Sequence, residues 1–130
     1  MEFNVSELDI ISVASKIEER INDIATGREL LKPAAELKAR TMAEYEKRLA
    51  VVIMALRNGK EFELESEKIK DPPISIIDKV SKGLCYKEKI AADLAEAEYK
   101  RMVIKLDCLK TEMNGFQSIN RYLDTCKNGD

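Results

Sequence analysis

Between Ala92 and Leu123 apolar side chains return every three or four residues without a change of phase. Ala92, Ala95, Tyr99, Met102, Leu106, Leu109, Met113, Phe116 and Leu123 occupy the a and d positions of one unbroken heptad register. The one interruption is Asn120, with Ile119 beside it. Spacings of three and four place side chains on a single stripe only in an α-helix, and a strict seven-residue repeat is the seam of a coiled coil. The pattern predicts a helix over 86–126, about 60 Å long at about 1.5 Å per residue. A stripe of that length must be buried against other helices.

The rest of the chain offers partners. Met42, Tyr45, Leu49, Val52 and Leu56 keep the same alternation, and Pro33 is a residue tolerated in a first helical turn. A helix over 33–58 is expected, closed by Asn58-Gly59. Thr26 and Glu29 also fit a capping box, and a start there would leave Pro33 to kink the interior. Ile10, Ala14, Ile17, Ile21 and Ile24 form a third stripe. Ser6 fits its N-cap and Gly27 its stop, which predicts an N-terminal helix over 6–27.

The connector 60–84 is less regular. Phe62 and Leu64 alternate with glutamates for too few residues to require a strand, so 60–71 is expected to be extended. Asp71-Pro72-Pro73 resembles a cap with prolines in the first turn. A short helix carrying Ile76, Ile77 and Val80 should follow and stop at Gly83. The expected fold is therefore all-α and one domain over 1–130. It is a long antiparallel helical hairpin with an additional N-terminal helix and a short helix in the connector. A 33–58 helix spans only about 40 Å, so part of the longer stripe would need a second copy of the chain to cover it. A homo-oligomer, dimer or larger, is the expected state.

The chemistry of the sequence is sparse. There is no histidine, which removes the commonest general base and metal ligand. The three cysteines, Cys85, Cys108 and Cys126, have no paired spacing. Cys108 is expected to be a small buried hydrophobe near the seam. Acidic groups such as Asp93, Glu96 and Glu98 lack the Glu-x-x-His pattern of bundle metal sites and read as a solvated, paired face. No glycine-rich phosphate loop is present. The expectation is a non-enzymatic protein without catalytic residues, metal or cofactor. Lysine and arginine number 22 against 24 acids, a net charge of −2, which argues against binding nucleic acid through bulk charge. A local basic strip of Lys47, Arg48, Lys100, Arg101 and Lys105 keeps an accessory nucleic-acid-binding role as the alternative, beside the reading of a mixed-charge solvated face. The longest apolar run, Leu49 to Leu56, is far short of the roughly 18 residues that cross a bilayer. The N-terminus reads as no signal peptide, and odd, unpaired cysteines suit a reducing compartment, so a cytoplasmic protein with no membrane partner is expected.

The segment Asn114 to Leu123 combines Gly115 with uncharged polar residues and with Phe116, Arg121 and Tyr122, types enriched at interfaces. Phe116, Gln117, Asn120, Arg121 and Tyr122 are the candidate protein-interaction residues. Gly115 itself either admits another helix closely or marks a bend.

Two stretches also carry a family resemblance. They are Ala43-Glu44-Tyr45-Glu46-Lys47-Arg48-Leu49-Ala50 in one helix, and Ala92-Asp93-Leu94-Ala95-Glu96-Ala97-Glu98-Tyr99-Lys100 leading to Asn114-Gly115-Phe116-Gln117-Ser118-Ile119-Asn120-Arg121-Tyr122-Leu123 in another. Over about residues 38–126 the chain resembles small helical proteins encoded by phages and prophages of Gram-positive bacteria, whose genes often lie among early replication and recombination genes. The resemblance leaves out the N-terminal helix and brings no catalytic residues. It implies a phage context, a bacterial host cytoplasm and a role near DNA metabolism or host takeover.

Overall fold

The computed structural model describes residues 7–127. In chain order it has α1 (Glu7–Arg57), β1 (Phe62–Leu64), β2 (Glu67–Ile69), a 3-10 turn (Ile74–Ile76), α2 (Ile77–Leu84) and α3 (Tyr86–Lys127). Of this, 86% is helical and the two strands have three residues each, so the fold is all-α, built on the pairing of α1 with α3. The described chain divides into two compact units, one made of 1–33 with 100–130 and the other of 34–99.

The expected separate helices over 6–27 and 33–58 are one helix. The proposed cap at Ser6 lies outside the described residues. Gly27 does not stop α1 because it is used for space: a Cβ there would lie 2.5 Å from Leu106 Cδ2 of α3. Pro33 is inside α1. It lacks the N–H that would bond the Glu29 carbonyl, and Glu29 is exposed, where water can serve that carbonyl. With 51 residues α1 outlasts the 42 of α3, so the length mismatch that called for a second copy does not exist.

In the unit of 1–33 and 100–130, α1 and α3 run antiparallel. Gly27 meets Leu106, Arg20 meets Glu112, and Lys16 meets Phe116. Ile24, Leu106 and Leu123 are buried. Ile10, Val13, Ile17, Met102, Leu109, Met113 and Phe116 are half-buried along the same seam. The α3 stripe lies where the heptads place it, including Asn120, which turns inward while Ile119 is exposed. The α1 stripe is rotated from expectation. Ala14, Ile21 and, in the other unit, Met42 are exposed, whereas Val13, Arg20 and Thr41 take the inward positions.

In the unit of 34–99, α1 and α3 again pass antiparallel, Tyr45 beside Lys89 and Arg48 beside Glu88. Val52, Leu56 and Cys85 form a buried centre wrapped by Tyr45, Leu49, Phe62, Ile69, Val80 and Leu84. Asn58-Gly59 ends α1 as expected. Lys60 N–H reaches back to the Ala55 carbonyl and Gly59 N–H to Leu56, with Gly59 at φ +83°, the doubly bonded stop that glycine favours.

The segment expected to be merely extended closes into an antiparallel hairpin, Phe62 opposite Ile69 and Leu64 opposite Glu67. Its two-residue turn, Glu65-Ser66, has both φ values positive, 52° and 64°. Phe62 and Ile69 pack on the buried centre. The helix after Pro72-Pro73 starts later than expected. Asp71 sits at φ +48° and caps nothing; Pro73 precedes the 3-10 turn. Ile77 is buried and Val80 half-buried, Ile76 is exposed, and α2 runs one residue past Gly83 to Leu84.

Candidate functional site

The five residues expected to form one interaction patch point in three directions. Phe116 and Asn120, four apart, face α1. The Phe116 ring lies 5.6 Å from Lys16 Nζ and 6.0 Å from Arg20 Cζ, so two cations of α1 sit over its π-face. Asn120 Oδ1 is buried without a hydrogen-bond partner among the described residues. Gln117 and Arg121 share a different, exposed face, Arg121 Nε donating to the Gln117 carbonyl at 3.5 Å. Tyr122 is exposed elsewhere on the helix and hydrogen-bonds with the Cys126 thiol. That bond, the charge of Cys126 and partial burial raise the phenol above its ordinary range. Outside its own turn of helix, no described residue comes within 4 Å of a would-be Cβ at Gly115, so none of the described helices packs against it.

Arg20 is the electrostatic centre of the unit of 1–33 and 100–130. Its Nε lies 2.7 Å from Glu112 Oε2, and its Nη1 lies 3.0 Å from Asp23 Oδ2 and 3.5 Å from Glu19 Oε1. Burial works to lower its pKa, but Glu112, Asp23 and Glu19 together hold it above the ordinary value. Of the three carboxylates only Glu112 lies on α3, so that one ion pair ties the two helices together, while Glu19 and Asp23 flank the guanidinium on α1.

The candidate basic residues are divided between the two units. Lys47 and Arg48 belong to the unit of 34–99, and Arg48 lies 3.9 Å from Glu88. Lys100, Arg101 and Lys105 belong to the other unit. On α3, Arg101 and Lys105 are four apart, and Lys100 is a residue earlier, turned by about 100°.

Cys108, expected to be buried, is exposed instead. Cys85 is the buried one, and burial, with Glu88 adding and Arg48 opposing, raises its thiol pKa; it is a protonated core residue. Cys108 is exposed on the outer side of α3. Among the described residues, no three His, Cys, Asp or Glu side chains are placed to hold a metal ion. A groove of about 390 Å³ within the unit of 1–33 and 100–130 is lined by Ile21, Ile24 and Met113, with Arg28 and Lys110 at its rim. It lacks the convergent polar groups that orient a small ligand. No described helix is long and apolar enough to cross a membrane.

A different surface, missed from the sequence, stands out once the inner seam of α3 is fixed. With Ala92 at position a, the outermost positions c and f carry Ile90, Leu94, Ala97, Arg101, Ile104, Cys108, Thr111, Gly115, Ser118 and Tyr122. All are exposed, Leu94 at 65% and Ile104 at 63%. These positions of a two-helix pair normally face water. The equivalent positions of α1 do so with Ser12, Ser15, Glu19, Asn22, Thr26 and Glu29. On α3 they hold no acid and one cation. The signal was in the sequence as a second three-four repeat two residues out of phase with the first.

Compared with protein-family models, with curated proteins and with solved structures, the chain matches none.

Proposed function

We propose that this chain is a non-enzymatic helical interaction protein that associates with itself and with another protein, acting in the cytoplasm of a bacterial host in a phage-related setting. The observation that supports it is the second apolar stripe of α3. A helix whose inner seam is already covered by α1 carries Ile90, Leu94, Ala97, Ile104 and Cys108 exposed on its outside, an apolar face of the kind that a further helix covers. Arg20 is locked in ion pairs, Cys85 is buried, and the apolar groove is without a polar focus. Gln117, Arg121 and Tyr122 at the end of α3 are exposed and suit contact with the second protein.

Light scattering across a range of concentrations tests self-association. A mass of twice the chain or more supports the reading, and a monomer at every concentration refutes that part of it. For the second partner, Arg121→Ala with Tyr122→Ala should abolish capture of an interacting protein while leaving the melting curve in place. Capture that survives the double substitution removes these residues from the contact.

A further inference from the structure

We propose that the outer face of α3 binds the same face of a second copy, antiparallel, in one register fixed by charge. The proposal rests on the self-association reading and names its surface. The exposed large members of the stripe are Ile90, Leu94 and Ile104 in its first half and Tyr122 at its end; Arg101 interrupts it, and Thr111, Gly115 and Ser118 make its second half small and polar. The occupant is a helix because the stripe has the helical heptad spacing. Its identity comes from the residues that flank the stripe. On one side run Asp93, Lys100 and Asp107, and on the other Glu98, Lys105 and Glu112, acid and base alternating at each heptad.

In a parallel, in-register pair, each flanking residue would meet the one five positions on. Asp93 would face Glu98, Lys100 would face Lys105, and Asp107 would face Glu112, like charges throughout. An antiparallel pair brings each flank against itself. When Arg101 lies opposite Ile104 of the second copy, Lys100 meets Asp107 and Glu98 meets Lys105. The two-fold axis doubles this to four opposite-charge pairs. The same register sets Leu94 against Thr111 and Ala97 against Cys108, large against small, and Ile90 against the open space over Gly115. Arg101 extends its charged end past the seam as long cationic side chains do. Sliding by one heptad destroys the match in either direction. One slide sets Lys100 on Lys100, Asp93 on Asp107 and Glu98 on Glu98. The other sets Glu98 on Glu112, with Lys105 and Asp107 each on themselves. One alignment is attractive and its neighbours repel, which is how flanking charges choose partner and orientation.

The test uses the full chain and its dimer dissociation constant, measured by sedimentation equilibrium. Lys100→Glu turns two attractive pairs repulsive and should weaken the dimer by about ten-fold. Adding Asp107→Lys restores opposite charge and should return the constant to the wild-type value. Ile104→Asp should give a monomer of unchanged helicity by circular dichroism, since Ile104 is exposed within the chain. Ala97→Cys should form an oxidised dimer through Cys108 of the second copy. A charge-swapped protein as weak as the single reversal overturns the proposal, even if Ile104→Asp fails to fold. A wild-type dimer that ignores every one of these changes overturns this surface and leaves self-association standing. A wild-type monomer overturns both.

Discussion

Replacing Gly27 by alanine in α1 should destabilise the protein, although the same replacement at Gly115 should stabilise it. Both glycines lie inside helices, where alanine is favoured by about 1 kcal/mol. At Gly115 no described neighbour outside its own turn of helix approaches within 4 Å, so that gain should appear in full. At Gly27 the new methyl would lie 2.5 Å from Leu106 Cδ2 and 3.3 Å from its Cγ. Leu106 must retreat by about 1 Å to reach van der Waals separation. It is 6% exposed in a packed seam, and overpacking of that kind costs about 1–3 kcal/mol. The net effect of Gly27→Ala is a loss of up to about 2 kcal/mol. Leu106→Ala alone should cost about 2–5 kcal/mol. Once it has removed the obstacle, Gly27→Ala should reverse sign and stabilise by about 1 kcal/mol. Urea unfolding of the two single variants and the double variant, followed by far-ultraviolet circular dichroism, closes the cycle. If Gly27→Ala stabilises equally in both backgrounds, Gly27 is not where α3 needs room, and the account of why α1 continues through it fails.

Four further outcomes are expected. Asn120→Leu, at a seam position where Oδ1 has no hydrogen-bond partner, should raise the melting temperature, with a gain of about 1–2 kcal/mol. Ser81→Ala should be neutral or stabilising by about 1 kcal/mol, because Ser81 is wholly buried and its hydroxyl is unpartnered; a clear loss in calorimetry would mean that the hydroxyl is satisfied. Replacing Glu65-Ser66 by Asn-Gly should stabilise by about 1 kcal/mol or more, since both residues hold positive φ; unchanged urea midpoints would show the turn carries no strain. The raised pKa of Cys85 sets a pH dependence. Its folded thiol keeps its proton where the unfolded one begins to lose it near 9.0, so this contribution is intact below that pH and falls as pH rises towards the folded pKa. The stability advantage of wild type over Cys85→Ala should therefore shrink between neutral pH and pH above 9.0; a constant difference would count against the buried, neutral thiol.

The inner stripe of α3 was legible because one physical requirement, burial at heptad spacing, outranks the identity of any one residue. Asn120 turns inward and Ile119 outward on that account. The phase of α1 was harder to read. Arg20 takes an inward place ahead of Ile21 because Glu112 waits opposite it, and no pattern within α1 records a partner on α3. Gly27 and Pro33 looked like punctuation, yet the first is a matter of clearance and the second is carried by an otherwise continuous helix. The hairpin was hidden for a local reason: Glu65-Ser66 makes a turn usually written with asparagine and glycine. The candidate patch near the end of α3 was chosen by residue type, and the 100° advance per residue scattered it around the helix. The outer stripe needed only the same periodicity applied a second time.

The ion pair between Arg20 and Glu112 also decides how the two helices can be aligned. The positions one heptad either side of Glu112 are Lys105 and Ile119. If α3 were displaced lengthwise by seven residues, most of its apolar seam would still meet apolar residues of α1, although Gly27 would face Tyr99 or Met113 in place of Leu106. Arg20 would then confront a lysine in one direction and an isoleucine in the other. A repeating seam is a ladder with many equivalent rungs, and a single guanidinium set into it removes the equivalence. Apolar packing holds the pair together, and this carboxylate, with the clearance at Gly27, tells it where to stop.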